Sequence, residues 1–362
     1  QPGVHGAEVQ VLVHGPGPVD DRCAAHGALQ TGWRFSRNPV GTGPFLLEDW
    51  QTSLSMDFVK NPNYHEDRYP SDSEDQRDPQ DVARGLHRDA GKLLPLADRV
   101  RIHCYVQDQP MWLDFRAGVL DYAQIPAENF EDAVNKRTKA LTKEYADEGY
   151  TYLPVSLLDF IFRGFNMEDP LVGGYTPEKK ALRQAINLAM NLDEFSTTFY
   201  QGNTVQYDGP IPPGLDGHPE GGRAPVSYRG PNLELARQKL AEAGYPNGEG
   251  LPPIKFYTSG GANNPEQVEL MKRQLARVGI VIEPNLVDFS TLIEFVNNKK
   301  APLFGFAWSS DYPDGENNLA LFYGPNESPG SNHYNYKRAE YDEMYEKIRT
   351  MPPSEERTEL YV

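Results

Sequence analysis

The sequence predicts an α/β protein with room for two domains. Three observations carry this expectation. After residue 250, segments of strand and helix periodicity alternate as β-α-β-α-β. Upstream, residues 44–60 and 100–106 alternate apolar and polar side chains with period two. The chain has 362 residues, enough for two domains and a substantial core.

Each element follows from local chemistry. Phe45-Leu46-Leu47 leads to Trp50, and Leu54, Met56 and Phe58 alternate with polar residues, which predicts a hairpin. Residues 66–97 are charged, rich in Pro, Gly and Asp and without period, which predicts a long exposed loop. Val100, Ile102, Cys104 and Val106 predict a strand. A helix follows from about Asp108 to Arg116, with Gly118 suited to the positive φ that ends it. Tyr152 to Phe165 is mostly apolar and predicts one or two strands. Thr176-Pro177 starts a helix with a hydroxyl cap and a proline in its first turn, and Leu182, Ala185, Ile186 and Ala189 form its apolar face. Asp193 opens another helix that stops near Gly202. Residues 207–231 form a Pro/Gly loop, and Leu233 to Ala243 a helix ended by Gly244. Pro253 to Tyr257 is a strand, and Asn264-Pro265 opens a helix ended by Gly279. Ile280-Val281-Ile282 is a strand, Phe289 to Asn297 a helix and Leu303 to Trp308 a strand. A last helix starts at Ser354.

Composition excludes several classes. Net charge is −17, from 52 acidic and 35 basic residues, so no basic surface for nucleic acid is expected. Mean hydropathy is −0.63, and no apolar run approaches the ~20 residues of a membrane span. Two cysteines, Cys23 and Cys104, make neither a disulfide framework nor a metal cluster. The eight histidines show no metal-ligand spacing. Gly41-Thr42-Gly43 lacks the Gly-Lys-Ser/Thr ending of a phosphate loop and enters a strand. No cofactor or metal is expected. No signal peptide opens the chain. Residues 1–35 show little periodicity beyond Val9-Gln10-Val11-Leu12-Val13 and remain unassigned.

The chemistry concentrates at Trp308-Ser309-Ser310-Asp311-Tyr312-Pro313-Asp314. An acid between two large aromatics follows the apolar run Leu303-Phe304-Gly305-Phe306-Ala307. The acid therefore sits at a strand's end, where a loop begins. Such a site suits a ligand with a positive charge and an apolar body. Far upstream lie Gly41-Thr42-Gly43-Pro44-Phe45 and Lys60-Asn61-Pro62-Asn63-Tyr64. Between them and the acid come Trp112-Leu113-Asp114-Phe115-Arg116-Ala117-Gly118-Val119-Leu120-Asp121, Phe165-Asn166-Met167, Leu182-Arg183-Gln184-Ala185-Ile186-Asn187-Leu188-Ala189-Met190, Pro210-Ile211-Pro212-Pro213 and Leu240-Ala241-Glu242-Ala243-Gly244-Tyr245.

This ordered set, from about Ser36 to about Ile348, resembles the extracytoplasmic solute-binding proteins of peptide, oligopeptide and nickel ABC transporters. The resemblance implies a two-lobed periplasmic-binding-protein-like α/β fold. It places an incomplete first lobe at residues 36–165 and a second at 166–362, both cut short because the chain reads as a fragment. It implies a monomer, free or lipid-anchored outside the cytoplasm, that closes around an extended peptide and delivers it to an ABC permease in the membrane. Main-chain hydrogen bonds would give affinity without demanding a sequence.

In the resembled family an acid at the place of Asp311 pairs with the ligand's α-ammonium. A charge-assisted hydrogen bond of that kind is stronger than a neutral one. The resemblance gives Trp308 and Tyr312 the role of pocket walls, lets Ser309 and Ser310 offer polar groups to a peptide, and puts Phe289 at the pocket lining. The structural alternatives are a carboxylate capping the helix near Glu316 and aromatics that belong to the core. Some relatives carry an arginine just before this motif that meets a peptide carboxylate. Here Leu292 to Ala307 holds only Lys299 and Lys300, so selection for one peptide length is not expected. Alternative ligands on the same fold are an oligosaccharide, opine, nickel chelate or haem, with Trp112 or Trp308 stacking on a sugar. Asp311 and Asp314 could also be drawn as the acid/base pair of a hydrolase, and a sensory domain of a regulator is the remaining class.

Overall fold

A computed structural model describes residues 8–12, 39–71, 79–154, 157–219, 221–222, 225–228, 230–260 and 264–362. Cys23 and most of the unassigned N-terminal segment lie outside them. The chain forms two compact units, Gln1–Ala133 and Val134–Val362.

In the first unit, β1 (Glu8–Leu12), β2 (Phe45–Gln51), β3 (Ser55–Lys60) and β4 (Arg99–His103) form one sheet in the order β1-β4-β3-β2. The expected hairpin is β2–β3, with Ser53 at φ +61° in its turn. Strand β4 lies antiparallel to β3, with Phe58 opposite Val100. On this sheet Asp57 receives both Arg101 Nε and Nη2, at 2.5 and 3.1 Å. Strand β1 runs parallel to β4 with Val9 opposite Val100, so residues left unassigned by the sequence reading contribute a strand. Its five residues are too few to show a period, and its partner lies some 90 positions away.

The expected loop at 66–97 has internal order. Tyr69 N–H donates to Lys92 O at 2.9 Å and Leu94 N–H to Asp67 O at 2.8 Å, so its two ends are stitched together. Between them lies α1 (Pro79–Arg84); residues 72–78 are outside the described set. Helix α2 (Asp108–Arg116) carries Met111 and Trp112, both buried. Gly118 follows at φ +74°, the left-handed conformation that glycine adopts without a Cβ clash.

The second unit is built on a four-stranded sheet of β7 (Asp159–Phe165), β8 (Ile254–Ser259), β9 (Ile282–Val287) and β10 (Leu303–Ser309), after a small hairpin of β5 (Val134–Asn135) and β6 (Ala140–Leu141). Its order is β7-β10-β8-β9. Strand β8 is parallel to β9 and β10, whereas β7 is antiparallel to β10. Strand β7 falls within the span 36–165 that the sequence reading gives to the first lobe, yet it is hydrogen-bonded into this sheet. A pairing across some 140 residues leaves no local signature. Strand β9 runs on to Val287, past Pro284, which a central strand would not tolerate; β9 is an edge strand and can hold it.

Helices cover both faces of the sheet. On one side lie α3 (Pro177–Ala189), α4 (Leu192–Phe199), α5 (Leu233–Glu242) and α6 (Asn264–Ala276), the first three opening as capping chemistry expects. Thr176, Asn191 and Asn232 accept the backbone N–H groups of Lys179, Glu194 and Leu235. Their apolar stripes, including Leu182, Ile186, Leu240, Met271 and Leu275, pack on Phe256 and Leu303. On the other side, Leu292 and Val296 of α7 (Phe289–Asn297) pack on Tyr257 and Phe304. Gly164 allows this packing, since a Cβ there would lie 2.4 Å from the Phe304 ring. Helices α8 (Gly315–Leu319), α9 (Ala339–Ile348) and α10 (Glu355–Tyr361) close the unit around Leu319, Tyr345, Ile348 and Tyr361. Among the described residues no helix is long and apolar enough to cross a membrane.

Candidate ligand-binding site

Strand β10 positions the site because it is buried at its start and open at its end. Leu303, Phe304 and Gly305 are buried, while Ala307 and Ser309 are exposed. Residues opposite each other on paired strands share a face. Gly305 and Arg163, Ala307 and Ile161, and Ser309 and Asp159 therefore share one face; Phe306 and Phe162, and Trp308 and Phe160, share the other. The chain leaves the sheet at Ser309 and turns through Ser310–Pro313 into α8.

Asn317, buried in the first turn of α8, organises this turn. Its Oδ1 accepts Trp308 Nε1–H at 2.9 Å and the Asp311 backbone N–H at 3.2 Å. Its Nδ2 donates to Asp311 Oδ2 at 3.1 Å. The carboxylate is thus held from one side while Asp311 itself is exposed. One amide fixes the indole and the acid relative to each other, and the acid's other oxygen has no protein donor among the described residues. That arrangement can receive an ammonium group.

The other expected residues take different places. Ser309 is exposed on the face of Ile161 and Ala307. Ser310 turns inward, its Oγ 3.0 Å from both Leu158 O and Asn318 Oδ1. Tyr312 is 46% exposed, and its hydroxyl donates to Glu316 Oε2 at 2.5 Å; that bond, with burial, raises its pKa. Phe289 opens α7 with half its surface exposed, 6.1 Å from the Phe306 ring on the Trp308 face. Asp288 sets its position by accepting the Thr291 N–H at 2.9 Å. Hydrogen bonds from Ser290 and then Thr291 hold the Asp288 carboxyl well below the usual carboxylate range.

Asp314, not Asp311, caps the helix near Glu316. Its Oδ1 accepts the Glu316 N–H at 3.0 Å and Tyr361 OH at 2.6 Å, and its Oδ2 accepts Arg357 Nη1 at 2.6 Å. These bonds commit Asp314 to the fold: both of its carboxylate oxygens hold protein donors, whereas Asp311 has one oxygen without a protein donor among the described residues. Trp112, weighed as a stacking surface for a sugar, is 4% exposed and packs on Phe115, so it presents no face to a ligand.

Two residues were missed by the sequence reading. One is Asn317. The other is Arg163, opposite Gly305 at the boundary between the buried and open parts of its face. Its Nε is buried with no hydrogen-bond partner. Its guanidinium lies 5.7 Å from the Phe256 ring and 3.5 Å from Gln267 Oε1 in the first turn of α6. No carboxylate pairs with it among the described residues, and burial lowers its pKa. An uncompensated cation beside a helix N-terminus at the carboxyl end of parallel β8 is suited to an anion. No group of acids, histidines or cysteines fit to hold a metal occurs among the described residues.

Comparison with known proteins fits this architecture. The family model of the bacterial extracellular solute-binding proteins, family 5 Middle, matches residues 7–330. The chain belongs to that family. The match begins upstream of Ser36 and takes in most of the segment left unassigned, in keeping with the pairing of β1. Among curated relatives, Heme-binding protein A of Haemophilus influenzae is 23% identical over 327 residues, covering 89% of this chain and 51% of the relative. Oligopeptide-binding protein AppA of Bacillus subtilis is 22% identical over 349 residues, covering 90% and 54%. The family 5 chain thus spans about half the length of the curated relatives it matches. Among solved structures, DppA of Helicobacter pylori in complex with the peptide STSA superposes with a TM-score of 0.64 at 18% identity, covering 95% of this chain and 58% of that one. Bacillus subtilis AppA in complex with a nonapeptide gives 0.62 at 20% identity, covering 89% and 57%. The fold is therefore the α/β fold of the peptide-binding members of family 5.

Proposed function

We propose that this family 5 protein captures peptides outside the cytoplasm and hands them to an ABC permease, acting as a monomer and catalysing no reaction. The observation that carries the reading is the exposed Asp311 carboxylate, tethered on one side by Asn317 at the open end of β10. A peptide's α-ammonium is its matching partner; Trp308 is tied to the same Asn317 amide, Ser309 faces the Arg163 side of the sheet, and Phe289 lies on the Trp308 side. Arg163 supplies the opposite charge for a ligand carboxylate. From Gly305 to Ser309 is about 13 Å at ~3.3 Å per residue, a span that about four extended residues cover. The domain reading that goes with this proposal keeps a first lobe upstream of a second lobe built on the β7–β10 sheet.

A second reading exchanges the peptide for haem, because one curated relative carries that name. A thermal-shift series with peptides, oligosaccharides, nickel and haem separates the two, since a ligand that binds only the folded state raises the melting temperature. A rise with peptides alone supports peptide capture; a rise only with haem replaces it. Asp311→Asn tests the role of the acid. It should weaken free-amino peptides by about tenfold or more and spare N-acetylated ones, and equal loss for both would refute the ammonium pairing.

A further inference from the structure

A hollow of about 510 Å³ lies away from Asp311. Its walls are Phe165 at the end of β7 and Met167 just after it, the α3 residues Lys180, Arg183, Gln184 and Asn187, and Tyr175, Tyr228, Tyr336 and Arg338. Phe165 pairs with Leu303, at the start of β10. Ser309 lies six residues further along that strand, about 20 Å away at ~3.3 Å per residue. The two places occupy opposite ends of the sheet.

The charge of this hollow runs against that of the molecule. In a chain of net charge −17, its lining holds three cations and no carboxylate. Positions 180, 183, 184 and 187 follow helical spacing, so α3 turns one stripe of hydrogen-bond donors toward the hollow. Arg183 is half-buried and spends Nη1 on Val172 O, at 2.7 Å. Desolvation lowers its pKa. The Arg338 guanidinium lies 5.5 Å from the centre of the Tyr175 ring. Among the described residues none of Lys180, Arg183 and Arg338 enters an ion pair.

Glu340 and Asp342 follow Arg338 in the first turn of α9 without pairing with it, and two further acids nearby are committed elsewhere. Glu168 and Glu327 are each shared between Lys299 and Lys337. That quartet of two acids and two lysines is electrically balanced, and the three cations of the hollow remain outside it. Their walls are aromatic: Tyr175 and Tyr336 meet edge to face at 6.0 Å, and Tyr228 and Phe165 add further ring surface.

We propose that this hollow is a second ligand site, for a small aromatic anion: a flat ring bearing a carboxylate or phosphate. The rings would receive the ligand's apolar body, and Lys180 and Arg338 would hold its charge through charge-assisted hydrogen bonds. Arg183 fixes the floor through Val172. The site does not depend on the identity of the ligand at Asp311.

The test is calorimetric titration of the protein with AMP, indole-3-acetate, adenosine and indole. Both anions, or one of them, should bind saturably and at least about tenfold more tightly than the neutral compound of the same ring. AMP alone would assign the site to phosphates, and indole-3-acetate alone to carboxylates. The double variant Lys180→Gln/Arg338→Gln removes two exposed charges and leaves Arg183 in place. It should weaken anion binding by about tenfold or more with an unchanged melting temperature, and Lys180→Arg/Arg338→Lys should restore it. Anions binding no better than their neutral counterparts, or binding equally well to the double variant, would overturn the proposal. Peptide titration of the same variant reads the Asp311 site separately and should show no change.

Discussion

Asn317 grips Asp311 at both ends of its amide, taking the backbone N–H on Oδ1 and giving Nδ2–H to the carboxylate. The same Oδ1 takes the indole N–H of Trp308. A strand end and a turn are fixed by a side chain six residues further on. The acid's direction is thus set by the fold, which in its proposed role would reduce the ordering cost of binding.

Asn317→Leu keeps the volume of the side chain and removes all three bonds. It should weaken free-amino peptides by about tenfold, and should leave two part-buried donors to find water at a cost of about 1 kcal/mol. Calorimetry on peptide pairs with free and acetylated N-termini separates the two effects. A fall confined to stability, with peptide affinity intact, would mean that Asn317 supports the fold and does not orient Asp311.

Arg163 sits where a cation needs a reason to be. Its Nε is buried without a partner, and a buried charge left unpaired is costly. Arg163→Met keeps the aliphatic stem against Phe256 and removes the charge. Peptides with a free carboxyl terminus should lose about tenfold in affinity, and C-amidated peptides should lose little. Thermal stability should hold or rise, because the desolvated charge is gone. Equal loss for amidated and free-acid peptides would assign Arg163 to packing alone.

The contrast between these residues shows what the sequence could convey. Asp311 stands out as a candidate because an acid between two aromatics after an apolar run is a local pattern. The β-α-β order after residue 250 was legible because helix and strand periods differ within a few residues. Asn317 left a weaker trace, an amide just inside a helix opened by Asp314-Gly315. Arg163 left none, since its meaning comes from facing Gly305 across some 140 residues. Strand β1 was hidden in the same way, by a partner in β4 that no local spacing announces.

Asp314 and Arg357 make a prediction about pH. Arg357 Nη1 and Tyr361 OH from α10 both bind the Asp314 carboxylate that caps α8, and Arg357 Nε reaches Ile348 O at 3.0 Å. The Asp314–Arg357 pair therefore ties together three helices. Burial alone would raise the Asp314 pKa, but the bonds from Tyr361, the Glu316 N–H and Arg357 outweigh it and hold the carboxyl below its ordinary value. A carboxyl depressed in the folded state stabilises the fold above its unfolded pKa, about 3.9, and loses that contribution as pH falls through the lower folded value. Asp314→Asn should thus cost about 2 kcal/mol at pH 7, where a charge-assisted bond is lost. The gap in melting temperature between the variant and the parent should stay constant down to about pH 4 and narrow below it. A gap that persists undiminished to pH 2 would show that the carboxylate's charge is not what holds α10.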